Sequence, residues 1–128
     1  MKLKKNHKLI IAADGSAASG KTTGAKIISE KYGLQFLSSG LLYRYASFQI
    51  LKHKPKNKIN FLKNCFKNLN LKKLESKNLH LPEISAHTSV IAKELKIRNI
   101  LKIFQKKFVK KNNKVCIEGR DIGTVILP

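Results

Sequence analysis

Apolar positions in this chain alternate between short continuous runs and longer stretches with helical spacing. Residues 8–14, KLIIAAD, are one such run. Its length and composition suit a strand buried on both faces of a parallel sheet. TTGAKIISEKYG (22–33) reads as a helix with Ala25, Ile28 and Tyr32 on one face and Gly33 as its stop. LQFLS (34–38) is a second strand candidate, and GLLYRYASFQILKHK (40–54) is a helix ended by Pro55.

Residues 52–82 contain no glycine and are rich in Lys and Asn. They read either as a short helix followed by edge strands at NLNLKKL (68–74) and NLHL (78–81), or as a weakly structured, solvated insertion. The segment 82–111 carries one long helical pattern, with Val90, Ile97, Leu101, Phe104 and Phe108 as its apolar stripe. KVCIEGRDIGTVILP (114–128) reads as a buried strand, a polar turn and the start of another apolar run. No internal repeat is visible. The order strand, helix, strand, helix, helix, strand predicts an α/β fold with a parallel sheet.

Composition narrows the function classes. The 128 residues allow one domain, and 42% hydrophobic content is enough for a packed core. A net charge of +20 suggests an anionic partner. All but three of the 27 basic residues are lysine, however, the exceptions being Arg44, Arg98 and Arg120. A Lys/Asn/Ile bias of this kind can follow from the base composition of a genome. The lysines are spread along the chain, and aromatic residues do not interleave with them as a base-stacking platform requires. No dedicated nucleic-acid partner is therefore expected. Cys65 and Cys116 lie too far apart for a metal-ligand pair and too few for a disulfide framework, so both are expected as reduced thiols. The run LIIAA is too short for the core of a signal peptide, and no stretch approaches a membrane span. A cytoplasmic protein without a membrane partner is expected.

The stretch Gly15-Ser16-Ala17-Ala18-Ser19-Gly20-Lys21-Thr22 satisfies G-x-x-x-x-G-K-[ST], between a predicted strand and a predicted helix. Phosphate oxygens must approach several backbone N–H groups at once, and bulky side chains would block them; Gly, Ala and Ser do not. The helix start adds free N–H groups and its positive dipole end. Lys21 can reach the β- and γ-phosphates, and Thr22 or Thr23 can reach Mg²⁺ or a phosphate oxygen. A nucleoside triphosphate with Mg²⁺ is the expected ligand.

Three further stretches bear on the acceptor. In LSSGLLYR (37–44), Ser39 and a helix N-terminus could hold an anion beside Arg44; the same residues also suit a helix cap followed by an exposed arginine. EGRDIGTV (118–125) follows a strand, at the carboxyl end where open parallel sheets bind ligands. There Arg120 could bridge phosphates, Asp121 could accept hydrogen bonds from the acceptor, and Glu118 could help organise Mg²⁺ through water. In SVIAKELKIR (89–98), Arg98 stands where this chain would ordinarily place a lysine, which hints at planar, bidentate recognition.

ADGSAASGKTT, LSSGLLYR and IEGRDIGTV, in this order, resemble the bacterial cytidylate kinase family, and the likeness extends almost end to end, weakest over 52–82. The resemblance implies a P-loop NTP hydrolase-like, three-layer α/β/α fold and transfer of the γ-phosphoryl group of ATP to CMP or dCMP. It implies that Gly15, Ser16, Ala17, Ala18, Ser19, Gly20, Lys21, Thr22 and Thr23 hold the ATP phosphates, with Lys21 and Arg120 stabilising transferred charge. Ser39, Arg44 and Arg120 would hold the CMP phosphate, and Ser89, Arg98 and Asp121 would read cytosine. Mg²⁺ would sit near Thr22, with Glu118 acting through water. Residues 1–37 and 84–128 would be the core of a single, partial nucleoside monophosphate kinase domain, and about 38–83 the acceptor-binding insertion. A monomer is expected.

The family commonly carries an aspartate in place of Ser38, a glycine in place of Thr22 and an arginine near His80. Its members also continue past the equivalent of Pro128 into an arginine-bearing lid. This leads to the expectation of a fold incomplete at the C-terminus, with impaired activity. Two other readings are another small-molecule P-loop kinase and a basic nucleic-acid-binding module.

Overall fold

The computed structural model describes residues 9–14, 27, 29–112 and 114–119. These divide into two compact units, one from 1–39 and 105–128 and the other from 40–104.

In the first unit, β1 (Leu9–Asp14), β2 (Gln35–Ser38) and β3 (Lys114–Gly119) form a parallel sheet in the order β1-β3-β2. The central strand pairs Leu9 with Lys114 through Asp14 with Gly119 on one side. On the other it pairs Gln35 with Val115 through Ser38 with Glu118. Val115, Cys116 and Ile117 are wholly buried, as a continuous apolar run in a central parallel strand should be. The α/β expectation holds at this level.

Between β1 and β2 the described residues 29–32 are helical, and Gly33 stops them as predicted. Gly33 takes φ 65°, and the Leu34 N–H donates back to the Ser29 carbonyl at 2.8 Å. That is a Schellman closure. A Cβ at Gly33 would meet nothing within 4 Å, so the glycine answers a need for left-handed backbone and not for space. Tyr32, placed with Ala25 and Ile28 on one helix face, is 38% exposed. Ala25 and Ile28 lie outside the described residues.

In the second unit, α1 (Ser39–His53) enters from β2 and buries Leu42, Tyr45, Ala46 and Ile50, the i, i+3, i+4, i+8 stripe of one helical face. Lys54 closes it in the left-handed region at φ 45°, and Pro55 has no N–H with which to continue. The next segment overturns the strand expectation. After α2 (Lys58–Lys67) come two 3-10 turns, Leu71–Glu75 and Lys77–His80, where edge strands were predicted. The Asn/Leu alternation lasts only from 68 to 71, and the next leucine, Leu74, is three residues on. That is the 3-10 period, and it puts Leu74 in the core. Asparagine and serine side chains cap each piece: Asn57, Asn70 and Ser76 accept the Asn60, Lys72 and Asn78 N–H groups. Nor is the segment a solvated insertion. Leu62, Phe66, Leu74 and Leu79 are all buried, and Phe66 packs edge-on against Tyr45 and tilted against Phe104.

The long helix predicted over 82–111 is two helices, α3 (Pro82–Ile91) and α4 (Leu95–Lys111). Phase explains the break. Six residues separate buried Ile91 from buried Ile97, which on one continuous helix would point about 120° apart. The chain tightens instead: the Lys93 and Glu94 N–H groups donate to the Val90 and Ile91 carbonyls. Val90, assigned to the apolar stripe, is 59% exposed. The buried face of α4 is Ile97, Ile100, Leu101, Gln105 and Val109, with Phe104 and Phe108 half-buried. Among the described residues no helix is long and apolar enough to cross a membrane. Half-buried Cys65 and buried Cys116 are thiols and not joined in a disulfide.

Leu62→Ala tests whether 52–82 is part of the core. Because Leu62 is fully buried, the substitution should cost about 2–5 kcal/mol in urea unfolding. The neighbouring Lys63→Ala should stay within about 0.5 kcal/mol. Equal, small effects would mean that the segment is solvated.

Candidate functional site

The carboxyl ends of the three strands come together at one edge of the sheet. β3 sets Asp14 of β1 beside Gly119, and Ser38 of β2 beside Glu118. Such an edge is where parallel α/β sheets receive ligands. Residues 15–23, expected from the sequence to cradle phosphates, follow Asp14 directly, and Arg120 and Asp121 follow Gly119. All eleven lie outside the described residues.

Glu118 is the described candidate at this edge. Its carboxylate is buried, and the Ser38 Oγ–H donates to Oε2 at 3.0 Å. A charged acceptor taken from water needs such a donor. As a hard oxygen ligand Glu118 suits Mg²⁺. Among the described residues, no group of three His, Cys, Asp or Glu that could hold a metal gathers there. Ser39, the first residue of α1, is also buried.

The second unit gathers the acceptor candidates on three helices. Arg44 on α1 is not the exposed arginine of the capping alternative. Its Nη1 donates to the Leu79 carbonyl at 3.0 Å and to the Ser85 hydroxyl at 2.7 Å. Both partners are neutral, so its positive charge is not cancelled by them. One residue earlier, half-buried Tyr43 lies close enough to Arg98 on α4 for the guanidinium to act on its phenol oxygen. Arg98 itself is exposed. Ser89 on α3 is exposed, and its hydroxyl donates to the Ser85 carbonyl at 3.4 Å. Ser85 thus touches Arg44 with its side chain and Ser89 with its backbone.

A second polar tie joins α1 to α3. The Ser47 hydroxyl is 2.7 Å from His87 Nδ1 and reaches the Ile84 carbonyl at 3.4 Å, and Thr88 donates to that same carbonyl at 2.6 Å. Reading the chain alone missed Tyr43, Ser47, Ser85 and His87. A spacing signal was available for two of them. Ser85 stands four residues before Ser89, and Ser47 three after Arg44, both same-face distances on a helix. Nothing in the sequence marked Tyr43 or His87.

Burial raises the Tyr43 hydroxyl above its usual pKa, while the guanidinium of Arg98 pulls the other way. Burial likewise raises Tyr45, with Cys65 adding to the shift, and raises the Cys65 thiol against the opposing charge of Lys73. Cys65 is thus held as a protonated thiol with little nucleophilic character.

A phenol whose folded pKa is raised stabilises the fold fully below its unfolded value near 10 and loses that contribution as pH rises through the folded value. Stability should therefore fall above about pH 10, less steeply in Tyr43→Phe. In Arg98→Ala, tyrosinate absorbance assigned by difference from Tyr43→Phe should appear at still higher pH. An unchanged titration would mean that Arg98 does not act on Tyr43.

With the geometry established, known proteins give the kinship. The family model for cytidylate kinase matches residues 11–128. The chain is 38% identical to the cytidylate kinase of Thermosipho melanesiensis over 128 residues, covering 92% of this chain and 58% of that protein. It is 39% identical to the cytidylate kinase of Bartonella tribocorum over 125 residues, covering 93% and 56%. With that of Clostridioides difficile it shares 32% over 131 residues, covering 94% and 60%. The chain therefore spans less than two thirds of the length of these curated relatives. The model match runs through both units, over the strands, the arginine-bearing helices and β3, and on that evidence the chain belongs to the cytidylate kinase family.

Proposed function

We propose that the protein transfers the γ-phosphoryl group of ATP to CMP or dCMP, giving ADP and the corresponding diphosphate. The observation that carries this reading is Arg44: a half-buried arginine whose partners among the described residues are a carbonyl and a hydroxyl, neither of which cancels its charge. Its presence in a chain of the cytidylate kinase family makes the acceptor's phosphate the natural candidate.

In this reading residues 15–23 cradle the ATP phosphates, and Lys21 and Arg120 stabilise the charge in transfer. Ser39, Arg44 and Arg120 hold the CMP phosphate. Ser89, Arg98 and Asp121 read the base: cytosine N4–H₂ donates, which Asp121 accepts, while O2 and N3 accept, which Arg98 serves. Uracil reverses the pattern at two of these atoms and leaves groups unpaired. Thr22 and Glu118 would hold Mg²⁺, Glu118 through water, and the ion would supply positive charge to the phosphates. A phosphate oxygen of CMP forms the new bond to the γ-phosphorus as the bond to the ADP oxygen breaks. That oxygen is already ionised at neutral pH, so no strong base is needed. The finer architecture is a P-loop three-layer α/β/α core with the acceptor-binding insertion at about 38–83. The working form is a cytoplasmic monomer without nucleic-acid or membrane partners.

Across CMP, dCMP, UMP and AMP, titration binding should be tightest for the two cytosine nucleotides, and Arg98→Ala should narrow the gap between CMP and UMP. AMP binding more tightly than CMP would overturn the roles given to Arg98 and Asp121.

Lys21→Ala in the natural gene product should lower phosphoryl transfer by at least about 100-fold while leaving thermal unfolding in place. Near-normal turnover would remove Lys21 from the reaction.

A further inference from the structure

Ser85 has no part in the reading above, yet it makes the shorter of the two bonds to Arg44. We propose that Ser85, together with the Leu79 carbonyl, is the positioning residue for Arg44, setting the plane in which the guanidinium meets the acceptor's phosphate. The inference rests on the reading of Arg44 as a phosphate-binding residue.

The argument begins with shape. A guanidinium is rigid and planar, with five N–H donors in fixed directions. Nη1 carries two of them, and Nη1 has two acceptors, at 2.7 and 3.0 Å. Fixing one nitrogen at two points fixes the plane, and with it the directions of the donors on Nε and Nη2. Bidentate recognition of phosphate depends on that orientation.

The two acceptors are themselves held. Leu79 is anchored by a buried side chain, in the 3-10 turn Lys77–His80 that packs against α3. Ser85 follows buried Ile84 on α3, and its own carbonyl accepts the Ser89 hydroxyl. Neither acceptor is an acid. A carboxylate in the place of Ser85 would hold Arg44 equally well but would cancel the charge that an anion needs.

A structural tie between α1 and α3 is already supplied by Ser47 and His87, three residues along α1. What Ser85 adds falls on Arg44 alone. Its loss should therefore be felt by the phosphate of a bound nucleotide and not by the nucleoside.

The test is equilibrium titration of the chain with CMP and, separately, with cytidine. Ser85→Ala should weaken CMP about tenfold, the size expected when one hydrogen bond to a charged group is lost, and leave cytidine unchanged. Ser85→Thr, which keeps the hydroxyl, should restore CMP binding. Should the alanine variant fail to fold, the nearly isosteric Ser85→Cys carries the same comparison. Wild-type protein that prefers CMP to cytidine, with Ser85→Ala unaltered, overturns the role of Ser85 and leaves Arg44 standing. Equal weakening of CMP and cytidine overturns it as well, since that is what a purely structural serine would do. Wild-type protein that binds CMP no better than cytidine overturns the phosphate role of Arg44, and the proposal with it.

Discussion

Parallel pairing of β3 with both β1 and β2 is the constraint on which the first unit depends. A central parallel strand has neighbours on both sides, so its register decides which residues meet at the carboxyl edge. The consequence reaches individual side chains: Ser38 and Glu118 are 80 residues apart in the chain and are joined by a buried hydrogen bond. A carboxylate there needs a donor because it has left water, and β2 supplies it in register. The hydroxyl of Ser38 is that donor.

The second unit solves a different problem. Its helices are joined by leucine, isoleucine and aromatic packing, but polar ties set how α1 and α3 meet. Arg44 and Ser47 lie one turn apart on α1, and their partners Ser85 and His87 lie within one turn on α3. Apolar contacts tolerate small slips, whereas a guanidinium held on two acceptors does not. Arg44 is thereby part of how α1 and α3 meet, which is why it is half-buried and not free on the surface.

The lysine and asparagine bias takes on meaning only piece by piece. Asn57 and Asn70 cap the starts of α2 and the first 3-10 turn, so part of the asparagine content does structural work. Most lysines are exposed, and Lys58 pairs with Glu94 on the surface at 2.9 Å, a contact worth little in stability. The three arginines stand out among the lysines by type, and the two described ones have partners on other helices.

Much was legible from the chain alone. Strands β1, β2 and β3 could be read because a buried parallel strand is a local run of apolar residues. Gly33 could be read as a stop because left-handed backbone favours glycine. Arg44 and Arg98 could be singled out by residue type, whereas the motif at 15–22 lies outside the described residues. Three matters were decided only in the tertiary structure. The break between α3 and α4 is invisible locally, since Ala92-Lys93-Glu94 contains no helix breaker; it follows from where Ile91 and Ile97 must point once packed. The turns at 71–80 replaced strands because Leu74 and Leu79 found a core to enter. The partners of Arg44 were hidden for the same reason: hydrogen bonds spanning 35 and 41 residues of sequence exist only after the elements that carry them are side by side.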